Sequence, residues 1–212
     1  MNNNGWIFGL VLVASAAAAP MQITVQVFNN ANAPQLEVRQ AEREAGWMFQ
    51  EAGIAVRWIE CPPYVRERGG DQVCKETSDP GLFVFLINAA EPPERSDTAL
   101  GFALTQGLSN HAAAVYPRIV ALTAHNSGYQ DSSLLGSVMA HELAHLLFHS
   151  TRHGEGIMKP VWSHRDYQAM AQRRLTFSAA QAQTLRTMLK ARVASAVKQT
   201  GETAADANTR PE

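Results

Sequence analysis

The sequence lacks both the charge bias of a nucleic-acid-binding protein and the long apolar run of a transmembrane protein. Its 18 Lys and Arg residues are offset by 19 Asp and Glu residues, so the formal net charge is -1 at pH 7. A nucleic-acid partner would call for a basic face or stripe, and none is expected here. A helix that spans a bilayer needs about 20 consecutive apolar residues, so stable membrane insertion is not expected either. These features assign no oligomeric state.

The amino-terminal segment contains an apolar run that is too short to cross a membrane comfortably. The sequence from Trp6 to Ala19 is WIFGLVLVASAAAA, which resembles the hydrophobic and cleavage regions of a secretory signal peptide. No Lys or Arg precedes the run, which leaves an uncleaved anchor or a buried amino-terminal segment as alternatives. No cysteine lies near its end, so a lipid anchor is not expected. We expect residues 1–20 to be a signal peptide and the protein to be secreted or periplasmic.

Only two cysteines are present, Cys61 and Cys74, and they lack the CxxC spacing of a metal-binding pair. The stretch between them is rich in Pro, Gly and charged residues and has few apolar residues to order it. In an exported protein, a disulfide between the two cysteines would close this loop. In the chain-entropy model it would stabilise the fold by about 3 kcal/mol. The alternative is two free thiols in a reducing compartment.

The segment from His141 to His145 has the sequence HELAH. On a helix these two histidines lie one turn apart on the same face, so both imidazoles can reach one cation. Glu142 is then placed to deprotonate an activated water. Most residues from Leu134 to Phe148 are apolar, which indicates a buried helix, where an unpaired carboxylate is costly. The pattern predicts a catalytic Zn2+ site with His141 and His145 as ligands and Glu142 as general base.

A catalytic zinc site takes three protein ligands and keeps one position open. His149 continues the i+4 series but lies a further turn along the helix axis, about 6 Å beyond the second histidine. Residues 150–154 include poor helix formers, so we expect the chain to leave the helix near His149 and to return with His153 towards the metal. His153 is the predicted third ligand, and His149, Glu155 and Asp166 remain alternatives.

This segment resembles the metzincin clan of zinc metallopeptidases, in which HExxH is followed by a short turn, a third histidine and a turn methionine. The resemblance implies that His141, His145 and His153 are the ligands, that Glu142 is the general base and that Met158 is the turn methionine. The clan usually has its third histidine six residues after the second, and here it follows eight residues after. This longer connection is similar to that of small secreted bacterial zincin-like proteins. The resemblance implies a zinc-dependent endopeptidase that acts on peptides or proteins.

The rest of the chain predicts strands and helices in an order typical of that clan. An alternating strand, an amphipathic helix and a second strand form an opening βαβ unit. A last helix begins with a capping box. The predicted strands are Gln22–Phe28, Ile54–Ile59, Leu82–Ile87 (central), Leu100–Leu104 (edge) and one within Ala112–Leu122. The predicted helices cover Val38–Ala52, run from Asp131–Ser133 through Phe148, and begin at Ser178 and Gln181. The last of them has Leu185, Met188, Leu189 and Val193 on one face.

We therefore predict an α+β fold, α/β-like in its amino-terminal part. It is a metzincin-like zincin with a mixed twisted sheet, a buried zinc-binding helix, a methionine turn and a C-terminal helix. The catalytic domain is expected to cover residues 21–197. Residues 198–212 are polar and are expected to form a disordered tail.

Other side chains are candidates for an oxyanion-stabilising role or are expected to have no catalytic role. Tyr116, Tyr167 and His164 are candidates for a donor that stabilises an oxyanion, and no pattern distinguishes them. His111, His125 and His164 are expected to be solvated, Trp162 to be a packing residue and Asp166 to be a surface carboxylate.

A zinc-bound interaction module that performs no hydrolysis is the alternative function. A purely structural zinc site normally closes with a fourth protein ligand and has no use for a base, so Glu142 favours the catalytic interpretation. In that interpretation an extended peptide would pair with the edge strand at Leu100–Leu104.

Overall fold

The computed structural model describes residues 21–63, 74, 81–88, 98–105, 110–125 and 130–207, without the side chains of residues 196–207. The predicted signal peptide and most of the loop between the cysteines lie outside these ranges. Within these ranges, no helix combines the length and the apolar character that a membrane span requires.

The chain opens with the predicted βαβ unit. Strands β1 (Met21–Asn29) and β2 (Ile54–Cys61) pair in parallel, and helix α1 (Gln35–Glu51) connects them. Apolar residues at helical spacing point from α1 into the core. Gly53 has φ 79° just after the helix, a backbone conformation that glycine adopts without steric cost and that commonly ends a helix.

The described strands form one mixed sheet in the order β2-β1-β3-β5-β4. Strand β3 (Leu82–Ile87) occupies the centre, as predicted, and pairs in parallel with β1 and with β5 (His111–Val115). Strand β4 (Gly101–Leu104) is antiparallel to β5 and lies at one end of this order. The prediction of an edge strand here is therefore confirmed, and β2 forms the opposite edge.

The prediction that a strand runs within Ala112–Leu122 is only partly right. The strand ends at Val115, and helix α2 (Tyr116–Ala124) follows at once. Pro117 lies in the first turn of α2, where its missing N–H removes no helical hydrogen bond and its fixed φ suits a helix. The apolar residues that suggested a longer strand instead place Ile119 of α2 in the core.

Helix α3 (Asp131–Phe148) carries the HELAH segment and is buried along almost its whole length. It packs against α1 and against β3, β4 and β5. Its predicted start is confirmed, but no side chain caps it, and Gln130 is the N-cap residue. The carboxylate of Asp131 instead accepts a hydrogen bond from Thr123 of α2, which ties the two helices together.

Helices α4 (His164–Ala171) and α5 (Ala179–Ala207) complete the domain. The predicted capping box of α5 is confirmed, since Ser178 N donates to Gln181 Oε1 (2.9 Å) and Gln181 N donates to Ser178 Oγ (3.3 Å). Leu185 and Leu189 are buried, but Val193 is 51 % exposed, because the helix extends past the core. The backbone of residues 199–207 continues α5 into the segment predicted as a tail, and residues 208–212 lie outside the described ranges.

The core lies between one face of the sheet and the helices. Alternate residues of the three inner strands face it together with the apolar faces of α1, α3 and α5. Parallel strands alternate their side chains between two faces. The side chains on the core face of the three inner strands therefore form a continuous surface against which α3 packs. The mixed sheet with helices agrees with the predicted α+β class.

Candidate metal centre

The three predicted histidine ligands converge in the structure. His141 and His145 lie one turn apart on α3, and His153 lies on the loop that follows the helix. Their ligand atoms all lie within 4.8 Å of one another. The ring centroids are 4.7 Å apart for His141 and His145, 5.3 Å for His141 and His153, and 4.9 Å for His145 and His153.

The chain reverses directly after α3, and this reversal brings His153 back to the helix. His149 has φ 47° and ψ 41°, a left-handed conformation. His149 N donates to Leu146 O (3.3 Å) and Ser150 N donates to His145 O (3.2 Å), which satisfies the last helical carbonyls. The side chain of His149 is exposed and lies outside the cluster. The expected departure from the helix at this residue is confirmed.

Two backbone carbonyls fix the orientation of the helical histidines. His141 Nδ1 lies 2.7 Å from Ile157 O, and His145 Nδ1 lies 2.7 Å from Ser150 O. A carbonyl oxygen can only accept a hydrogen bond, so each Nδ1 carries the proton and each Nε2 keeps a lone pair. This arrangement is the usual support of a metal-binding histidine.

The two Nε2 atoms provide a test of whether a cation fits the site. They lie 3.0 Å apart, and with both Nδ1 atoms protonated neither has a proton to donate to the other. Two lone pairs at this distance repel each other unless a positive charge lies between them. The ligand atom of His153 lies within 4.8 Å of those of His141 and His145, and three neutral imidazoles are a common donor set for Zn2+. The residues therefore fit the metal.

Burial keeps the imidazoles of His141 and His145 in the ligand form. It lowers the pKa of His141 to about 4, although the hydrogen bond to Ile157 opposes the shift. Burial also lowers the pKa of His145 against the opposing hydrogen bond to Ser150. Metal binding requires neutral imidazole, so His141 and His145 need not lose a proton at pH 7 before binding.

Glu142 lies beside the histidine cluster in the wall of a cavity of about 860 Å³. It is 7 % exposed. The cavity extends from the three histidines between strand β4, helix α2 and the segment from Lys159 to Trp162. A substrate in this cavity would therefore meet the histidines, Glu142 and the edge strand together.

A short 3-10 turn, Gly156–Met158, supports His141 through the backbone carbonyl of Ile157. Gly156 has φ 58°, and a Cβ there would lie 2.5 Å from Thr176 O, so the turn requires glycine. Ile157 N donates to the same Thr176 carbonyl (3.1 Å), while Ile157 O accepts from His141. Met158 is buried in this turn. Its role as the turn methionine remains a prediction.

Trp162 has a role that the sequence did not indicate. Its Nε1 donates to Ile157 O (3.1 Å), the carbonyl that also accepts from His141. Its ring meets the His141 ring edge-on, at 5.6 Å and 89°. Trp162 therefore packs, as predicted, but it packs against a proposed ligand. No pattern in the sequence reveals this contact.

The three candidates for an oxyanion-stabilising donor separate in the structure. Tyr167 lines the cavity and contacts Trp162. Tyr116 Oη instead donates to Glu37 Oε2 (2.9 Å). His164 is exposed and contacts Gln168. Of these three, Tyr167 alone borders the cavity.

Two predictions about exposure were wrong. His111 is half-buried against Phe83 and Phe85, at ring distances of 4.9 and 5.6 Å, and burial lowers its pKa. Asp166 is buried rather than a surface carboxylate, because it caps α4 through Ser163 and pairs with Lys159 at 2.6 Å.

Burial by itself would raise the pKa of Asp166, but the hydrogen bonds from Lys159 and Ser163 outweigh it and lower the pKa. Asp166 lies outside the histidine cluster, as does the exposed Glu155. His125 and His164 are exposed, as expected.

No family model matches the chain, and no curated protein matches it. Solved structures with a similar fold include a zinc-dependent peptidase from Methanocorpusculum labreanum. It is 16 % identical with a TM-score of 0.51, and the match covers 76 % of this chain and 99 % of that one. Archaemetzincin from Methanopyrus kandleri is 14 % identical with a TM-score of 0.50, over 84 % of this chain and 99 % of that one. The chain has the fold of these zinc peptidases. At such low identity the likeness extends to the fold alone.

Proposed function

We propose that the protein is an exported zinc-dependent endopeptidase of the metzincin type, with His141, His145 and His153 as its zinc ligands. The observation that carries the proposal is the convergence of three imidazoles at the cavity, two of them oriented by backbone carbonyls. The fold similarity to zinc peptidases supports it. The buried turn around Met158 is proposed as the methionine turn.

Zinc, when bound, supplies a Lewis acid that polarises the scissile carbonyl and makes a neighbouring water more acidic. In the proposed mechanism the carboxylate of Glu142 takes a proton from the water that attacks the carbonyl carbon. When the C–N bond breaks, Glu142 returns this proton to the leaving amine nitrogen. The burial of Glu142 limits its access to bulk water, which suits a group that must hold a proton between these two steps.

The edge strand β4 is proposed to bind the substrate backbone. Leu100 O accepts from Val115 N (2.8 Å), so alternate residues of β4 face β5. In an antiparallel ladder, the backbone groups of the residues between them then point away from β5. Gly101 and Ala103 are these residues, and both border the cavity. An extended peptide would therefore pair with them and run past the histidines.

Export is supported by the disulfide between Cys61 and Cys74, which the structure contains as predicted. Disulfides persist mainly in oxidising compartments. The bond links the end of β2 to the segment that leads towards β3.

The interaction-module alternative has no specific support in the geometry. The cluster consists of three histidines within the described ranges, and it opens onto a cavity. A structural zinc site would normally be closed by a fourth protein ligand.

The zinc content and peptide-cleaving activity of single histidine variants test the proposal. We expect His141→Ala, His145→Ala and His153→Ala each to lose zinc and activity. His149→Ala is the matched control and should keep both, because its side chain is exposed outside the cluster. Near-stoichiometric zinc in His153→Ala would contradict the ligand set. A zinc-loaded wild type that cleaves nothing in a diverse peptide library would contradict the peptidase function.

A further inference from the structure

We infer that Gly101 is a positioning residue that sets the conformation of Glu142 and its distance from the edge strand. The inference rests on the proposed function, in which Glu142 is the base and β4 binds the substrate. It concerns a residue of the strand rather than a ligand or the base itself.

The space beside Gly101 is too small for any side chain. A Cβ at this position would lie 2.7 Å from Val138 Cγ1, 2.8 Å from Ala113 O and 2.9 Å from Glu142 Cγ. Ordinary carbon contacts are about 3.5–4.0 Å. The hydrogen of Gly101 is therefore what allows α3 and β4 to approach each other here.

These three neighbours differ in how easily they can move. Ala113 belongs to β5, which is hydrogen-bonded to β4 and β3 on its two sides. Val138 is buried, and its branched side chain has few allowed rotamers in a helix. Glu142 has rotatable bonds and faces the cavity. A side chain at position 101 would thus displace Glu142, or push β4 away from α3.

Either displacement would affect the proposed reaction. Glu142 must reach both the attacking water and the leaving nitrogen, and a misplacement of about 1 Å can cost about 100-fold in rate. A Cβ at position 101 would meet Glu142 at Cγ, in the middle of the side chain, so it would limit the positions that the carboxylate can occupy. None of the histidine ligands is among the closest neighbours of the added Cβ, and zinc binding should therefore be spared.

Gly136, the glycine of α3, provides a matched control. A Cβ at Gly136 would lie 2.6 Å from Ala41 O and 2.7 Å from Glu44 Cβ, which are both in α1. The steric conflict is as severe as at Gly101 and occurs on the same helix, but it does not involve the base. Gly136→Ala therefore reports what a loss of packing does by itself.

The test is a double-mutant cycle of Gly101→Ala and Glu142→Gln, with Gly136→Ala alongside. The measurements are kcat, KM, zinc content and the unfolding midpoint of each protein. We expect Gly101→Ala to keep zinc and to lower kcat by about 10- to 100-fold. In the Glu142→Gln background, whose residual rate is the reference, Gly101→Ala should change kcat by less than about twofold, because the group that it positions is gone. Gly136→Ala should lower the unfolding midpoint but leave kcat per folded molecule within about twofold.

The inference is overturned by equal losses of kcat from Gly101→Ala in both backgrounds, by an equal loss of kcat in Gly136→Ala, or by loss of zinc from Gly101→Ala. If Gly101→Ala does not fold, the same cycle is run with Val138→Ala added, which removes the closest conflicting atom. An active wild type with an unaffected Gly101→Ala would contradict this inference alone. An inactive or zinc-free wild type would contradict the proposed function.

Discussion

The two edges of the sheet each lie near a buried carboxylate carried by a helix, and the surroundings of the two carboxylates differ. Glu42 of α1 is 6 % exposed and has a repulsive electrostatic interaction with Glu60 on β2. Its Oε1 is buried without a hydrogen-bond partner among the described residues. Burial, reinforced by the charge of Glu60, raises its pKa to about 7. Glu142 of α3 is 7 % exposed and lies beside three histidines at the opposite edge.

This comparison shows that burial does not by itself identify a functional carboxylate. The cost of burying a charge suggests a cation near Glu142, yet Glu42 is buried to a similar degree. No metal-binding cluster within the described ranges includes Glu42. Glu42 instead becomes easier to protonate. The informative feature of Glu142 is therefore its set of neighbouring donors, because a perturbed carboxylate acts chemically only where a substrate and partner groups converge.

Isosteric substitution of the two carboxylates should produce the largest contrast. We expect Glu142→Gln to keep zinc and to lower kcat by about 10²- to 10⁴-fold, the usual contribution of a general base. Glu42→Gln should leave kcat unchanged, since the residue lies at the other edge of the sheet. Steady-state kinetics with zinc analysis measures both variants. Equal activity of Glu142→Gln and the wild type would refute the proposed base.

Removal of the disulfide should affect the β2 edge only. In the chain-entropy model, Cys61→Ala with Cys74→Ala should lower the free energy of unfolding by about 3 kcal/mol. The zinc content and kcat of the folded fraction should not change. Urea unfolding monitored by tryptophan fluorescence gives the stability. A loss of zinc in this double variant would show that the two edges are coupled.

The backbone of β4 provides a smaller contrast at the proposed catalytic edge. Ala103→Pro removes an N–H that points away from β5, and proline is tolerated at such an edge position. We expect KM to rise by about fivefold with unchanged zinc, in keeping with the loss of one hydrogen bond to substrate at about 1 kcal/mol. Ala103→Gly keeps the N–H and serves as the control. An unchanged KM in Ala103→Pro would exclude β4 as the substrate strand.

A further contrast at the β2 edge is the pH dependence of stability caused by Glu42. Its pKa is raised from 4.5 to about 7 in the folded protein. Its favourable contribution is thus fully present below about pH 4.5 and is lost as the pH rises through about 7. Glu42→Gln should therefore be more stable than the wild type above pH 7, and this advantage should shrink towards pH 5. Urea unfolding of the two zinc-free proteins at pH 5 and pH 8 measures it, and a difference independent of pH would contradict the assignment.

The elements that the sequence predicted correctly depend on strong local patterns. Alternation over β1 and helical spacing in α1 each report a buried face. The spacing of His141 and His145 requires only that the segment be helical. The disulfide followed from the expected export and from a loop between the two cysteines that has few apolar residues to order it.

The missed features depend on residues that are distant in sequence. The burial of Glu42 depends on how α1 lies over the β2 edge, and the support of His141 by Trp162 depends on a shared carbonyl at Ile157. The start of α2 was missed for a different reason. Apolar residues precede Pro117 and resume at Ile119, so their pattern predicted a strand within this segment and did not reveal the helix that follows it.

The sequence by itself determined the identity of the chemical groups, namely two histidines and a carboxylate on one buried helix, because helical geometry fixes the relation of residues one and four positions apart. Only the tertiary structure decided which histidine returns to complete the cluster and which carbonyls orient the rings. It alone also decided that a glycine of the edge strand leaves room for Glu142. These choices depend on a chain reversal at His149 and on the packing of α3 against β4. Contacts between segments far apart along the chain leave no periodic trace in the sequence.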